Sequence, residues 1–465
     1  MKSLSGFLFV LMHLLFANPI QAQERNVYGF WVGKVDLPTL KLTTIFDIRK
    51  TGGNIDSVFL SIPEQGAVDL PGALLGMNKD SIIIFHAQVN RTFYGEFIND
   101  STIQGDWMRN RIGIPMTLKK TNQKPGLNRP QTPVPPFPYL SEDVEYTNPK
   151  SGLKLAGTLT IPENAKACPA VVLITGSGAQ DRDETIFEHK PFAVIADYFA
   201  RNGIATLRVD DRGVGGSEGN ISSSTSEDFA GDALAGVEFL KKRKEIDPQK
   251  IGLIGHSEGG LIAPMAANMS NDVSFIVMMA GPGMVGEQIL YEQNDLALKA
   301  AGMPEYAIEQ NKVVQKAIFD VLKNEPDSAK AVDELRIKLS QGMYNGMNDE
   351  MKKAVDNQIA SVNSPWFRYF LSYDPQPTLK KVKCPVLAIN GSKDVQVPVS
   401  NLEAISDAVQ SGGNKQVDTV RFENHNHLFQ LCEVGSIAEY SQIEETIDPE
   451  VLKTMKDWIL KTTSK

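Results

Sequence analysis

Two stretches of this chain carry the pattern Gly-X-Ser-Glu-Gly, one centred on Ser217 and one on Ser257. Such a serine becomes a nucleophile only at a sharp strand-to-helix turn, where flanking glycines let two backbones pass closely and leave the hydroxyl exposed. The stretch "QKIGLIGHSEGGLIAPMAANM" meets that requirement, with an apolar strand, the motif, and an Ala-rich helix in direct succession. In "LRVDDRGVGGSEGNISSSTSED" a strand ends at Val209, and a long polar run follows before a helix opens near Ser226. Ser257 is the candidate nucleophile, and Ser217 is expected in a surface loop.

A serine hydroxyl needs a base, and the base needs an acid to orient it. The chain has 6 histidines. His13 lies in the N-terminal apolar segment, His86 in a run of strands far from the motif, His256 beside the serine with its side chain diverging, and His189 upstream before a helix. His425 and His427 remain, both in "RFENHNHLFQ" after the last predicted strand. The acid is expected at Asp394, just beyond the carboxyl end of the strand Pro385–Asn390, where open α/β sheets present their sites. The order serine, acid, histidine is that of α/β-hydrolases.

The oxyanion of an acyl-transfer intermediate needs two donors. The Glu258 backbone N–H, at the amino end of the helix, supplies one. The second is expected from "TGSGAQDRDE", through the N–H of Ser177, with Gly178 as the alternate.

These residues require a scaffold. Strands at Ala170–Thr175, Ile204–Val209, Lys250–Gly255, Ser274–Ala280, Pro385–Asn390 and Thr419–Phe422 alternate with helices at Pro191–Arg201, Glu227–Lys242, Gly259–Met269 and Val399–Val409. That alternation predicts a mostly parallel sheet with helices on both faces. A helix-rich insertion over 284–381 is expected to form a cap. Ahead of this, residues 23–120 read as about seven short strands with turns between them, an antiparallel sandwich or barrel. The Pro-rich stretch 121–140 is expected to be a semi-rigid linker, and 141–465 the hydrolase domain.

The opening "MKSLSGFLFVLMHLLFANPIQAQ" has a lysine, an apolar run too short to span a bilayer, and a small residue at Ala22. It predicts a signal peptide over 1–22 and a secreted or periplasmic protein without membrane insertion. A formal charge of -9 argues against nucleic acid as a partner. The 3 cysteines show no CxxC and no metal-type spacing, so no disulfide framework is expected, one disulfide in an oxidising compartment staying open, and a serine, acid and histidine need no metal or other cofactor.

The stretches "ITGSGAQDRDE", "ADYFARNGIATLRVDDRGVGGSEGN", "IGLIGHSEGG", "SPWFRYFLSYDP", "VLAINGSKDVQVP" and "NHNHLFQ" together resemble the α/β-hydrolase superfamily, and within it secreted bacterial esterases of the serine-aminopeptidase-like group. In that group the histidine precedes Leu-Phe-Gln, which favours His427 over His425. The resemblance also makes "DDRGVGGSEG" a structural loop, and the N-terminal strands look like a β-domain often found before such hydrolases. The expected activity is cleavage of small carboxylic esters through an acyl-enzyme, with an aminopeptidase or other peptidase as the alternative. Glu287, Glu292 and Glu305 in the cap are candidate anchors for a peptide amine, and the aromatic "PWFRYF" a candidate acyl-pocket lining. The β-domain could contact a glycan or envelope component.

Overall fold

The structure is a computed structural model that describes residues 26–37, 40–50 and 57–464. The expected signal peptide and parts of the expected β-domain, residues 38–39 and 51–56, lie outside the described residues. The chain divides into two compact units, with the boundary at Pro125 and Gly126.

The first unit is a closed antiparallel barrel of eight strands. They are β1 (Gly29–Leu37), β2 (Leu40–Arg49), β3 (Ser57–Ile62), β4 (Ala67–Met77), β5 (Ser81–His86), β6 (Arg91–Asn99), β7 (Thr102–Arg109) and β8 (Ile112–Thr121). Closure comes from β1 pairing with β8, Phe30 opposite Thr121, so the ring has no open edge. Alternate residues point inward, and Trp31, Phe46, Phe93 and Trp107 fill the interior. Seven match, within a few residues, strands expected at Tyr28–Leu37, Leu42–Lys50, Ile55–Ile62, Ser81–Val89, Thr92–Ile98, Ser101–Trp107 and Ile112–Lys119, while β4 was not anticipated. Pro71, Gly72 and Gly76 read as breakers in "AVDLPGALLGM", yet the strand pairs along β3 and β5 with an irregularity between Leu74 and Gly76. Gly72 is needed there: a Cβ would come within 2.9 Å of the His86 ring. That ring bonds the Leu70 carbonyl at 2.8 Å, so His86 is a packed strand residue.

The second unit holds an eight-stranded sheet built from β9 (Leu140–Thr147), β10 (Lys154–Ile161), β11 (Cys168–Ile174), β12 (Ala205–Val209), β13 (Ile246–His256), β14 (Phe275–Met279), β15 (Val386–Gly391) and β16 (Val417–Phe422). Their order is β16-β15-β14-β13-β11-β12-β10-β9. β11 to β16 run parallel and the β9–β10 hairpin is antiparallel at one edge. The central strands are apolar throughout because both faces are covered. Val172, Ile174 and Leu253 pack with α2 (Ser226–Leu240), α3 (Glu258–Met269) and α10 (Asn401–Ser411) on one face. Val171, Leu173 and Ile254 pack with α1 (Pro191–Arg201) and α12 (Pro449–Thr463) on the other. α11 (Ile437–Tyr440) is a single turn before α12.

Between β14 and β15 lies the cap. It consists of α4 (Gly286–Ala300), α5 (Glu305–Asn324), α6 (Ser328–Leu339), α7 (Asp349–Val362), α8 (Pro365–Ser372) and α9 (Gln376–Leu379). Phe319, Leu322, Leu335, Ile359 and Leu371 give it a core of its own.

Two expectations need correction. The stretch 121–140, expected as a semi-rigid linker, does contain the unit boundary, but its ends belong to the units themselves. β8 runs through Thr121, and the chain beyond Gly126 is fastened to the second unit. Arg129 donates to the carbonyls of Phe187 and Ile443 at 2.9 and 2.8 Å, and Gln131 both donates to and accepts from Ile447. Tyr139 donates to Asp197 at 2.8 Å. Composition signals the lack of regular structure but not these long-range backbone partners. Ser217, expected at the surface, is instead 8% exposed. Its hydroxyl donates to the Asp210 carbonyl at 2.7 Å and accepts from the Ala156 N–H at 2.9 Å, prolonging the β10–β12 ladder by one side-chain step.

Candidate active site

The site forms where β11, β13, β15 and β16 end. β13 delivers Ser257 to the turn at φ 53° and ψ -119°, a left-handed conformation a non-glycine residue adopts only when its surroundings enforce it. The enforcement is visible. A Cβ on Gly255 would lie 1.9 Å from the Gly259 carbonyl oxygen, and one on Gly259 would lie 2.2 Å from that of Ile174. α3 therefore crosses the strand ends in backbone contact, and Ser257 N–H donates to Met279 O at 2.8 Å. Ser257 is half-buried while its neighbours on both sides are buried.

The next residue, Glu258, opens α3, so its N–H stands in the helix's first turn, where orphan donors and the dipole favour an anion. Its side chain turns inward and is buried. It accepts from Ser226 Oγ at 2.5 Å and from Trp366 Nε1 at 2.8 Å, tying α2 and cap helix α8 to the elbow. Burial pushes this carboxyl up from its ordinary range, against those two hydrogen bonds.

The loop after β11 comes down against the serine: a Cβ on Gly176 would meet Ser257 Cβ at 3.2 Å. Ser177 and Gly178 follow, both exposed, with Gly178 at φ 100°. Asp211 fixes this loop, accepting from Thr175 Oγ1 at 2.7 Å and from Gln180 N–H at 3.0 Å. Burial pushes the Asp211 carboxyl up to about 7, with Glu184 and Glu258 adding like charge. Glu184 Oε1 accepts the Gly176 N–H at 2.7 Å.

Asp394 and His427 meet at 2.7 Å, Oδ2 to Nδ1, and both side chains are buried. The other Asp394 oxygen accepts from Gln396 and Val397 N–H at 2.8 and 2.9 Å, which fixes the carboxylate as an acceptor. His425, the sequence alternative, has its ring taken up by the Glu423 carbonyl and by Asp448 at 2.8 and 3.0 Å. The His427 ring lies 4.7 Å, centroid to centroid, from that of His256, the residue preceding Ser257. The structure thus gathers Ser257, Glu258, Ser177, Asp394 and His427 at one end of the sheet.

Some site residues were not legible in advance. His256 was set aside as pointing away from the serine. It does so, into a buried pair with Glu184 at 3.0 Å, while its other nitrogen meets the His427 carbonyl at 3.0 Å. The acid-rich "DRDE" was the available signal. Trp366, from the aromatic "PWFRYF", stacks on Phe370 at 5.6 Å besides holding Glu258. Of the cap glutamates, Glu287 is paired with Lys323 at 2.8 Å and Glu292 accepts from Gln288 at 3.0 Å. Among the described residues, no cluster of histidine, cysteine or carboxylate side chains is arranged to hold a metal ion. Likewise, no helix among them is long and apolar enough to cross a membrane.

A mostly parallel sheet covered on both faces, with a strained serine between strand and helix and an acid–histidine pair on later strand ends, defines an α/β-hydrolase. Residues 151–428 match the family described as X-Pro dipeptidyl-peptidase (S15 family), and the chain belongs to it. A relative, Esterase EstD of Thermotoga maritima, is 26% identical over 309 residues. That match covers 66% of this chain and 66% of the relative, just under two thirds of the relative's own length. Two solved structures are also similar to this chain. An esterase of Pyrococcus furiosus, Pf2001, has 17% identity and a TM-score of 0.45, covering 73% of this chain and 98% of its own. The alpha/beta hydrolase GrgF from Penicillium sp. sh18 has 16% identity and a TM-score of 0.44, covering 70% and 100%.

Proposed function

We propose that this protein hydrolyses small carboxylic esters through an acyl-enzyme on Ser257. The observation that carries the reading is the Asp394–His427 pair, held in ring contact with the residue that precedes a strained, half-buried serine. In the reaction His427 Nε2 takes the Ser257 proton as Oγ attacks the ester carbonyl. Asp394 keeps the Nδ1–H tautomer and stabilises the imidazolium. The N–H groups of Glu258 and Ser177 hold the oxyanion, and each is worth about 100- to 1000-fold in turnover. His427 then returns its proton to the departing alcohol, and water, activated by the same histidine, releases the acid. No step calls for a metal or an organic cofactor. Similarity to an esterase supports the substrate class.

Turnover of a short-chain p-nitrophenyl ester, with fluorophosphonate labelling mapped by mass spectrometry, tests the assignment. Ser257→Ala is expected to lower turnover by about 10⁴-fold or more and to abolish the label. Retained activity, or a label elsewhere, refutes the role of Ser257. Family membership favours a second reading, peptide cleavage by the same residues. Faster turnover of X-Pro or aminoacyl amides than of simple esters would replace the first reading with the second.

The signal peptide and export to the periplasm or medium belong to the same proposal, and amino-terminal sequencing of protein from the native host, expected to begin at Gln23, checks them. Glycan or envelope contact by the barrel is checked by pull-down with the isolated barrel.

A further inference from the structure

We infer that Glu184 and His256 form a proton-holding brace that positions the oxyanion loop, the serine elbow and the base loop relative to one another; the inference rests on the esterase reading above. Neither residue touches substrate, so both are positioning residues.

His256 Nε2 faces the His427 carbonyl at 3.0 Å; a carbonyl only accepts, so Nε2 carries a proton. His256 Nδ1 faces Glu184 Oε1 at 3.0 Å, which requires a second proton between them, on the ring or on the carboxyl. The pair therefore holds one proton more than a neutral imidazole beside a carboxylate, and its net charge is zero. Deprotonation would set two lone pairs against each other in a buried site. Glu184 Oε1 also accepts the Gly176 N–H, one residue before the Ser177 donor. One oxygen and one ring thus join three loops: Gly176 after β11, His256 at the elbow, and His427 through its own carbonyl.

The surroundings fit a built feature. Glu184 is 5% exposed and stands at φ 53°, a backbone conformation that persists only where the fold over-determines it. Its Oε2 is buried without a partner among the described residues, so Oε1 alone meets both donors. Burial pushes the His256 imidazolium toward losing its proton. The charge and hydrogen bond of Glu184, the His427 carbonyl and the charge of Asp394 outweigh it, and the net direction is upward. Among the described residues, His427 lies in ring contact with His256, and Asp211 feels the like charge of Glu184. Because the brace exists only while its proton is held, it is intact below this raised value and is lost as pH rises through it.

Glutamine at 184 cannot replace the carboxylate. If its oxygen serves both donors, His256 becomes a buried cation without a counter-charge. If its amide donates to Nδ1, the Gly176 N–H faces another donor.

The test is the rate of Ser257 modification by a fluorophosphonate, from mildly acidic to alkaline pH, for the full-length protein and Glu184→Gln. Wild-type labelling is expected to fall on the alkaline side. Glu184→Gln is expected to be slower at neutral pH by about tenfold to a hundredfold and to lack that alkaline fall. It is also expected to lower kcat for an ester while leaving KM within about twofold. A folded Glu184→Gln protein with wild-type rate and pH profile overturns the brace while leaving the esterase reading intact. Failure of the wild type to label at Ser257 overturns both. Should Glu184→Gln not fold, the wild-type profile decides, since the absence of an alkaline fall overturns the brace.

Discussion

Asp394 divides its two oxygens between two tasks, one for the His427 ring and one for the backbone of its own turn. Asp394→Asn keeps the shape but turns an amide donor toward Nδ1, so the ring's lone pair faces the wrong partner. Turnover of a p-nitrophenyl ester is expected to fall by about 10⁴-fold, with labelling of Ser257 slowed in parallel. Asp211 makes a different prediction, about stability. Burial pushes its carboxyl up to about 7 in the folded chain, against about 3.9 unfolded. The folded state holds the extra proton between those values, so the stability that Asp211 contributes is present below the lower one and lost as pH rises through the upper. Asp211→Asn does not titrate. Its melting temperature relative to wild type is expected to climb from about pH 4 to about pH 7 and then level off, and thermal unfolding across that range checks this. Residue type and chain order narrowed the candidates to Ser257, Asp394 and either His425 or His427, and only the family resemblance preferred His427, the histidine that the structure sets against Asp394. The pairing of His256 with Glu184 was not legible, because its partners come from three separate loops.

At the scale of elements, the contact between α3 and the strand ends is the tightest feature of the site. Gly259→Ala places a methyl 2.2 Å from the Ile174 carbonyl oxygen, a backbone atom that cannot swing away. The variant is expected to fold poorly or, if it folds, to label at Ser257 by less than about a hundredth of the wild-type rate. Trp366→Phe probes the seat of the cap. The phenyl ring can still stack on Phe370, but Glu258 loses a donor inside the protein. A loss of about 1–3 kcal/mol, read from denaturant unfolding, is the expected result. The βα alternation was readable because a strand covered on both faces is apolar throughout. β4 escaped because proline and glycine, read one at a time, outweigh the pairing that β3 and β5 impose on them.

Over the whole molecule, each unit owns a hydrophobic core, and the barrel closes without help from the sheet. A fragment beginning at Gly126 is therefore expected to unfold in one cooperative step and to label at Ser257, as followed by circular dichroism and mass spectrometry. The position of that start matters. Cutting instead at Leu140 removes Arg129 and Gln131, and with them the bonds to Phe187, Ile443 and Ile447. Those bonds make 126–131 a mechanical anchor. A pull on the chain ahead of Gly126 meets Arg129, clamped to carbonyls of two separate loops, before any load reaches the exposed edge strand β9. Force applied to the amino-terminal side would be met first by the loops around Phe187 and Ile443, the former only three residues from Glu184.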